Sequence, residues 1–297
     1  MSDTFNEPSK VKWVLDEYLL DRAPATGRLR LDEALSRIGC ETFVSGLVRG
    51  ARTRDDLPEW DGECVVAYGS VAFVRQVTRS KAGAWQPGSF MRTENLSYTG
   101  FSPHLGDLML NDGFVILPYG EFRRRGLAPW GGSAFIRPDA VTKSFTGFVV
   151  TEKDFEHETN ALERLACLSP EDHIVIDVPK RILGEFRFVV ADRRVVAGSC
   201  YGWDEVNDVR ADYDPSCHAL AMEVAAREWQ ADRAYTCDVA LEGLPDGTSR
   251  PRLLELNAVS CSGLYACDTV AVADAVFRPL GGGRAARRYP VITTDEL

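Results

Sequence analysis

The stretch "LLELNAVSCSGLY", Leu253 to Tyr265, ends an apolar strand with a carboxylate and a carboxamide two residues apart. Side chains at i and i+2 of a strand point to the same face, so Glu255 and Asn257 project together while the leucines beside them point the other way. A Ser-Gly turn follows at Ser262. The stretch therefore predicts a strand that presents two oxygen-bearing side chains on one face, directly before a turn.

A carboxylate beside an amide oxygen is a hard-oxygen pair suited to Mg²⁺, which usually completes its octahedron with water and substrate phosphate oxygens. Another carboxylate, Asp238, lies in the apolar strand "AYTCDVALE" (234–242), where an unpaired aspartate would be costly to bury. If the two strands form a hairpin through "EGLPDGTSRP" (242–251), Asp238, Glu255 and Asn257 converge. We predict that these three residues bind magnesium; the alternative is that the two carboxylates face solvent on a two-sided sheet.

The segment "FIRPDAVTKSFTG" (135–147) combines basic side chains with a turn. Arg137 closes a strand, Pro138 stops it, and Lys143 lies in a turn with hydroxyls and backbone donors that can cover phosphates. The segment is not a Walker loop, because the pattern GxxxxGK[ST] is absent. Exposed surface positions for the two basic residues are the alternative.

Glu185 and Arg187 share one face of the strand in "GEFRFVV" (184–190). An arginine fork on that face can bind a phosphate or a carboxylate bidentately, whereas a lysine offers only a point charge. A cross-strand salt bridge is the alternative.

Composition and scattered residues exclude several function classes. The formal net charge of −10 argues against a sequence-independent grip on nucleic acid, because such a surface repels phosphates. No signal peptide and no apolar run long enough to span a membrane occur, which predicts a cytoplasmic protein without a membrane partner. The four histidines form no zinc motif, and no GxSxG elbow marks a serine nucleophile. Cys261 and Cys267 are interpreted as packing residues.

The pattern of elements changes along the 297 residues. Strand and helix signals alternate in the first part, at "VKWVL" (11–15), "LDEALSRIG" (31–39), "ETFVSGLV" (41–48) and "ECVVAYGS" (63–70), and predict an open α/β sheet. After the basic turn at 123–125, six strand signals and three helix signals predict an antiparallel α+β body. A boundary near residue 125 follows, with the strand "GFVILPYG" (113–120) in front of it.

The order of these motifs resembles the ATP-grasp superfamily. The motifs are a Rossmann-like front part, "FIRP…KSFTG", "EFRFVV…VVAGSCY", "CDVAL" and "LLELNAVSCSGLY". The resemblance is closest to the clade in which the usual strand lysine appears as arginine and a lysine sits in the following loop. It implies an α+β ATP-grasp fold preceded by a Rossmann-like α/β pre-ATP-grasp domain. The implied limits are 1–125 for the front domain and 126–297 for the ATP-grasp domain, with a small lobe at about 126–178, a large lobe at about 179–280 and a flexible tail at 281–297.

The resemblance also implies roles for the candidate residues. Arg137 and Lys143 would hold phosphates, and the segment around Val178 would hinge the lobes and contact adenine through its backbone. Glu185 falls where many family members contact the ribose. Arg187 would face the γ-phosphate or the acyl intermediate, so that Arg187 and Lys143 are the candidate catalytic residues. The implied Mg²⁺ ligands are Asp238, Glu255 and Asn257.

The leading hypothesis is an ATP- and Mg²⁺-dependent ligase that joins a small-molecule carboxylate and an amine through an acyl phosphate. A small-molecule kinase would share every nucleotide-binding residue, and a nucleotide-binding regulatory module without turnover is the alternative from a different class. A homodimer is a family-level expectation. Candidates for a substrate carboxylate are Arg92, Arg123 and Arg210, which the sequence does not distinguish from surface arginines.

Overall fold

A computed structural model describes residues 11–21, 26–141, 144–204 and 206–277 of the chain. Lys143 and the predicted flexible tail lie outside the described residues. Three β-sheets, of four, four and five strands in chain order, organise the part that is described. Within these ranges, no helix is both long and apolar enough to cross a membrane.

The first sheet is parallel, in the strand order β2-β1-β3-β4. The strand β1 lies in its interior and pairs with both β2 and β3, and its residues Trp13, Val14 and Leu15 are buried, as expected for a parallel strand covered on both faces. The alternating pattern of the first part therefore forms the open α/β sheet that it predicts. The elements of this part are β1 (Lys12–Asp16), α1 (Glu17–Asp21), α2 (Leu31–Arg37), β2 (Thr42–Ser45), β3 (Cys64–Tyr68), α3 (Val71–Ser80) and β4 (Gln86–Gly88).

The second sheet is antiparallel, in the order β5-β8-β6-β7. Two short helices, α4 (Thr93–Leu96) and α5 (Tyr98–Leu105), precede it. Its strand from "GFVILPYG", placed by the sequence in front of residue 125, pairs with β8, because an apolar run does not reveal which sheet will take it. The elements are β5 (Val115–Pro118), α6 (Tyr119–Arg125), β6 (Ser133–Pro138), β7 (Phe148–Thr151), α7 (Phe155–Leu165) and β8 (His173–Asp177).

The third sheet is also antiparallel, in the order β11-β10-β9-β12-β13. Its first hairpin turns at Asp192 and Arg193, both with left-handed φ values of 47° and 63°, the conformation of a tight two-residue hairpin turn. The hairpin of β12 and β13 joins the two strands that carry the predicted metal ligands. The elements are β9 (Ile182–Ala191), β10 (Arg194–Trp203), β11 (Val206–Arg210), α8 (Pro215–Ala226), β12 (Ala234–Gly243), β13 (Ser249–Ala258) and α9 (Thr269–Phe277).

Alternation along β9 divides its two faces. Phe186 and Phe188 point into a core that they share with α8 and with Val14 of the first sheet, so the first and third sheets pack as one body. On the opposite face, Val189 packs in a second cluster with residues of α9. Glu185 and Arg187 lie earlier on that same face, where the polar site forms.

Candidate functional site

The three predicted oxygen ligands converge as the hairpin predicts. Asp238 of β12 lies directly opposite Glu255 of β13 in the strand register. The amide Nδ2 of Asn257 donates to Asp238 Oδ2 at 3.1 Å and to Glu255 Oε1 at 2.8 Å. Two carboxylates and an amide therefore form one hydrogen-bonded group on a single face of the sheet.

Arg187 lies on β9, beside Asp238 in the strand register, and holds its carboxylate bidentately. Its Nε donates to Oδ1 at 2.8 Å and its Nη2 to Oδ2 at 2.6 Å. The Arg187 side chain is 7% exposed and that of Asp238 is 0% exposed. Burial opposes the charged guanidinium, but the charge and hydrogen bonds of Asp238 outweigh it and raise the pKa of Arg187 well above its ordinary value. The cross-strand salt bridge left open by the sequence is thus present, and it links two of the predicted site residues.

Two tyrosines enclose Arg187. The rings of Tyr201 and Tyr265 stack with centroids 4.8 Å apart and planes 11° apart. The guanidinium carbon of Arg187 lies 5.6 Å from the Tyr201 centroid and 4.9 Å from the Tyr265 centroid, within the range of cation–π contacts. Burial raises the pKa of the Glu185 carboxyl, and a hydrogen bond with Tyr201 opposes that rise. Glu185 and Arg187 therefore lie in one aromatic-walled group.

Arg137 connects the second sheet to the third. Its Nη2 lies 2.8 Å from Glu255 Oε2, and its guanidinium carbon lies 5.2 Å from the centroid of the Tyr98 ring. Gly147 permits this approach, because a Cβ there would lie 3.1 Å from the Arg137 Cβ and 2.9 Å from the Phe135 ring. The phosphate-binding candidate of one sheet is thus paired with a metal-ligand candidate of another.

Residues 259–265, which we call the site loop, follow β13 and are held by the first sheet. Backbone Gly69 N donates to the Ser260 carbonyl at 2.9 Å, and Phe90 N donates to the Ser260 hydroxyl at 2.9 Å. The buried Tyr68 hydroxyl donates to the Ser262 carbonyl at 2.8 Å. On its other side, the site loop accepts a hydrogen bond of 2.8 Å from Arg187 Nη1 at the carbonyl of residue 263. The first sheet therefore fixes the loop that contacts Arg187.

A cavity of about 160 Å³ lies beside this group. Its lining includes Arg187, Asn257 and site-loop residues, together with Val71, Met91 and Val141. Cys261 also lines it, and burial raises the pKa of that thiol to about 12. Burial raises the pKa of Cys267 to about 11. Both sulfurs are therefore protonated near neutral pH, in agreement with their interpretation as packing residues.

The remaining predicted residues are placed differently. Val178 directly follows β8, at the passage from the second sheet to the third, and is 43% exposed. Its backbone N–H donates to the Asp177 carboxylate at 2.7 Å. Lys143 lies outside the described residues. The sequence analysis did not single out Tyr265, although it ends the opening stretch, because its left-handed φ of 49° and its stacking on Tyr201 depend on tertiary structure.

Acidic and sulfur or imidazole ligands alone do not form a metal site in the described ranges, where no suitable group of three or more His, Cys, Asp and Glu residues occurs. A divalent ion at the hairpin would therefore use the amide oxygen of Asn257 as its third protein ligand. That donor set, two carboxylates and an amide, is the hard-oxygen chemistry of Mg²⁺.

Comparisons with known proteins agree with each other. Residues 67–276 match the family model of an ATP-grasp domain, family 3 of the arginine-to-lysine clade. No curated protein matches the chain. Similar solved structures include a RimK domain protein ATP-grasp from Sphaerobacter thermophilus, with 18% identity, a TM-score of 0.56 and coverage of 90% of this chain and 99% of that one.

Two further solved structures have titles that name enzymes. D-cycloserine synthetase DcsG has 15% identity and a TM-score of 0.57, and the match covers 89% of this chain and 98% of that one. The ATP-grasp ligase PsnB, complexed with a minimal precursor, has 16% identity and a TM-score of 0.50, with coverage of 91% and 98%. At these identities the likeness concerns the fold.

Proposed function

This chain belongs to family 3 of the arginine-to-lysine clade of ATP-grasp domain proteins, and from that premise we propose that it is an ATP- and Mg²⁺-dependent ligase. It would form an amide or peptide-like bond between a small-molecule carboxylate and an amine. The observation that carries the proposal is the continuous charged network of Arg137, Glu255, Asn257, Asp238 and Arg187, which spans two sheets beside a cavity. A synthetase and a ligase among the proteins of similar fold support it.

Magnesium fits the residues at the hairpin. Asp238, Glu255 and Asn257 lie within hydrogen-bonding distance of one another, and they supply oxygen donors of the type that Mg²⁺ prefers. When bound, the ion would neutralise phosphate charge and polarise the phosphoryl group. Rotation of the Asn257 side chain would turn its oxygen, rather than its nitrogen, toward the carboxylates.

The basic residues would bind the phosphates. Arg137 and Lys143 are proposed as phosphate ligands, and Arg187 as the cation that faces the γ-phosphate and then the acyl phosphate. Catalysis of phosphoryl transfer consists mainly of positioning and charge compensation, which these residues can supply. The substrate carboxylate would attack the γ-phosphorus, ADP would leave, and the amine would displace phosphate from the acyl carbon. No nucleophile from the protein is required.

The nucleoside would bind near the passage from the second to the third sheet. We assign adenine to the backbone around Val178 and the ribose to Glu185. The elevated pKa of Glu185, caused by its burial, suits a carboxyl group that accepts hydrogen bonds in a water-poor cleft. Val178 carries its side chain outward, which leaves its carbonyl as the expected contact for the adenine amino group.

We also propose a division of the chain into a front domain and two lobes. The parallel sheet of β1 to β4 supports the assignment of the first part as a pre-ATP-grasp domain. The pairing of β5 with β8 supports a start of the small lobe before Val115, earlier than the boundary expected at residue 125. The third sheet would then form the large lobe.

A product-based screen tests the proposal. ADP release is measured over a matrix of amino acids, small amines and carboxylic acids, and every positive mixture is analysed by mass spectrometry. A condensation product with equimolar ADP and phosphate is expected. A phosphorylated acid or alcohol without condensation would instead indicate a kinase, and ADP release with no mixture would indicate a module without turnover.

Variants test the residue assignment separately. Glu255→Gln combined with Asn257→Ala should abolish Mg²⁺-dependent ADP release, because two of three proposed metal ligands are lost. Asp192→Asn is a matched control at the far end of the same sheet, where the carboxylate pairs with Arg233 at 2.8 Å. Activity near the wild-type level in the double variant would show that the metal site is misassigned.

A further inference from the structure

A second cavity, of about 350 Å³, meets the first at the site loop. Gly263 and Tyr265 line both cavities, so the Tyr265 ring lies where they adjoin. The volume is at the lower end of the range for small-molecule sites. The other lining residues come from the first part of the chain and from the start of α9, and they are Leu19–Asp21, residues 26–31, Tyr68, Leu264 and Thr269.

The walls of this second cavity are largely apolar, with charges of both signs. Leucines and two tyrosines form most of the lining, and the charged side chains in it are Asp21, Arg28 and Arg30. A ligand that fits such a lining carries an apolar group together with a charged one. The charged residues decide which sign of charge is bound.

The two arginines are held in different ways. The fork of Arg30 is engaged by Asp32, at 3.1 Å from Nε and 3.3 Å from Nη2, and its Nη1 lies 3.6 Å from Asp21. Arg28 donates from Nε to the Ala266 carbonyl at 3.2 Å, and its Nη1 is 3.9 Å from Asp268, beyond hydrogen-bonding distance. Its side chain is 38% exposed. Arg28 is therefore anchored by its Nε while its terminal nitrogens can bind an anion.

The arginines that the sequence suggested for a carboxylate do not line this cavity. Arg123 is paired with Glu163 at 3.1 Å, and Arg210 with Asp208 at 2.8 Å and Asp212 at 2.7 Å. Arg92 lies 3.8 Å from Asp232. The structure thus directs attention to Arg28, which the sequence analysis did not select.

We propose that the second cavity binds the amine substrate, and that this amine is an apolar amino acid whose carboxylate pairs with Arg28. The inference rests on the proposed function, because the amine must reach an acyl phosphate beside Arg187 by passing Gly263 and Tyr265. The acid substrate loses its free carboxylate in the reaction at Arg187. An amino acid that acts as the amine keeps its own carboxylate throughout and therefore needs a permanent cationic partner, which Arg28 provides.

The coupled step balances without a further reactant. The amine nitrogen forms the C–N bond, the C–O bond to phosphate breaks, inorganic phosphate leaves, and the surplus protons of the nitrogen pass to solvent. The apolar side chain of the amino acid remains against the leucines of the cavity. The Tyr265 ring borders the path of the amine between the two cavities.

A pair of probes isolates the carboxylate. L-leucine and L-leucinamide share the amine and side chain, but only the first has a carboxylate. Binding of each is measured by calorimetry to the full chain with Mg²⁺ and a non-hydrolysable ATP analogue. L-leucine should bind at least about tenfold more tightly, the effect of one charge-assisted pair. Arg28→Gln should remove that preference, whereas Arg37→Gln, which removes an exposed arginine on α2, should keep it.

Each outcome decides the proposal. Equal binding of the two probes to the wild type, or equal weakening of both by Arg28→Gln, overturns it. If Arg28→Gln does not fold, the comparison of probes on the wild type and on Arg28→Lys decides, with a reduced but retained preference expected in the lysine variant. Failure of the ATP analogue to bind, or absence of ADP release with any acid and amine, would count against the proposed function instead.

Discussion

Removal of the Arg187 guanidinium should destabilise the fold by about 3–5 kcal/mol, the cost of depriving a buried charge of its ion-pair partner. Asp238 is fully buried, and both of its oxygens accept hydrogen bonds from Arg187 at 2.6–2.8 Å. Two charge-assisted hydrogen bonds at about 1.5–3 kcal/mol each give a similar magnitude. Arg187→Met, which keeps the length of the side chain, should therefore be strongly destabilising, and so should Asp238→Asn.

A double-mutant cycle measures the interaction. The double variant should cost little more than either single variant, so the coupling energy should be about 3 kcal/mol. Urea unfolding followed by tryptophan fluorescence provides the free energies, compared at unchanged m-values. Arg210→Met with Asp208→Asn is the matched control, because that pair has an N–O distance of 2.8 Å but is exposed, and its coupling should stay below about 1 kcal/mol. Additive effects of the two buried variants, within about 0.5 kcal/mol, would refute the reasoning.

Three further predictions concern packing, protonation and the site loop. Gly198→Ala should lower the free energy of unfolding by about 1–3 kcal/mol, because the new Cβ would lie 2.6 Å from the Phe188 ring; Gly106→Ala, with no atom within 4 Å, is the control, and urea unfolding measures both. Burial raises the pKa of Asp232 to about 6, so the cost of its buried charge is present above that pH and is relieved as the pH falls. Relative to Asp232→Asn, the wild type should gain about 1 kcal/mol of stability from pH 7 to pH 5, and a pH-independent difference would contradict this. Tyr68→Phe removes a buried hydrogen bond to the site loop and should lower the rate of ADP release while the affinity for a non-hydrolysable ATP analogue is kept; an equal loss of both would argue against a role in positioning.

Local patterns were sufficient for the hairpin that carries the metal-ligand candidates. Strand alternation fixes which side chains share a face, and a short connection makes two strands neighbours, so the alignment of Asp238 with Glu255 follows from the sequence. The same reasoning anticipated the turn at Asp192, where two left-handed residues reverse the chain. The assignment to the ATP-grasp family is confirmed by the match over residues 67–276.

Contacts between distant segments were beyond such patterns. The pairing of β5 with β8, the ion pair of Arg137 with Glu255 and the bond from Tyr68 to the site loop join residues far apart in the chain. Each depends on how whole sheets pack, and an apolar run or a single arginine has the same local appearance in several arrangements. Arg28 was missed for this reason, since only the fold brings it to a cavity beside Tyr265. The roles of the site residues stay predictions.

The interior position of β1 limits how the chain can be shortened for expression. The family match begins at residue 67, within β3, and so omits β1 and β2. A truncation at that point would remove the partner of β3 and uncover the apolar surface that Trp13, Val14 and Leu15 now fill. Tyr68, the anchor of the site loop, would then stand on an unpaired edge prone to aggregation. A stable fragment that retains the site must therefore start no later than Lys12.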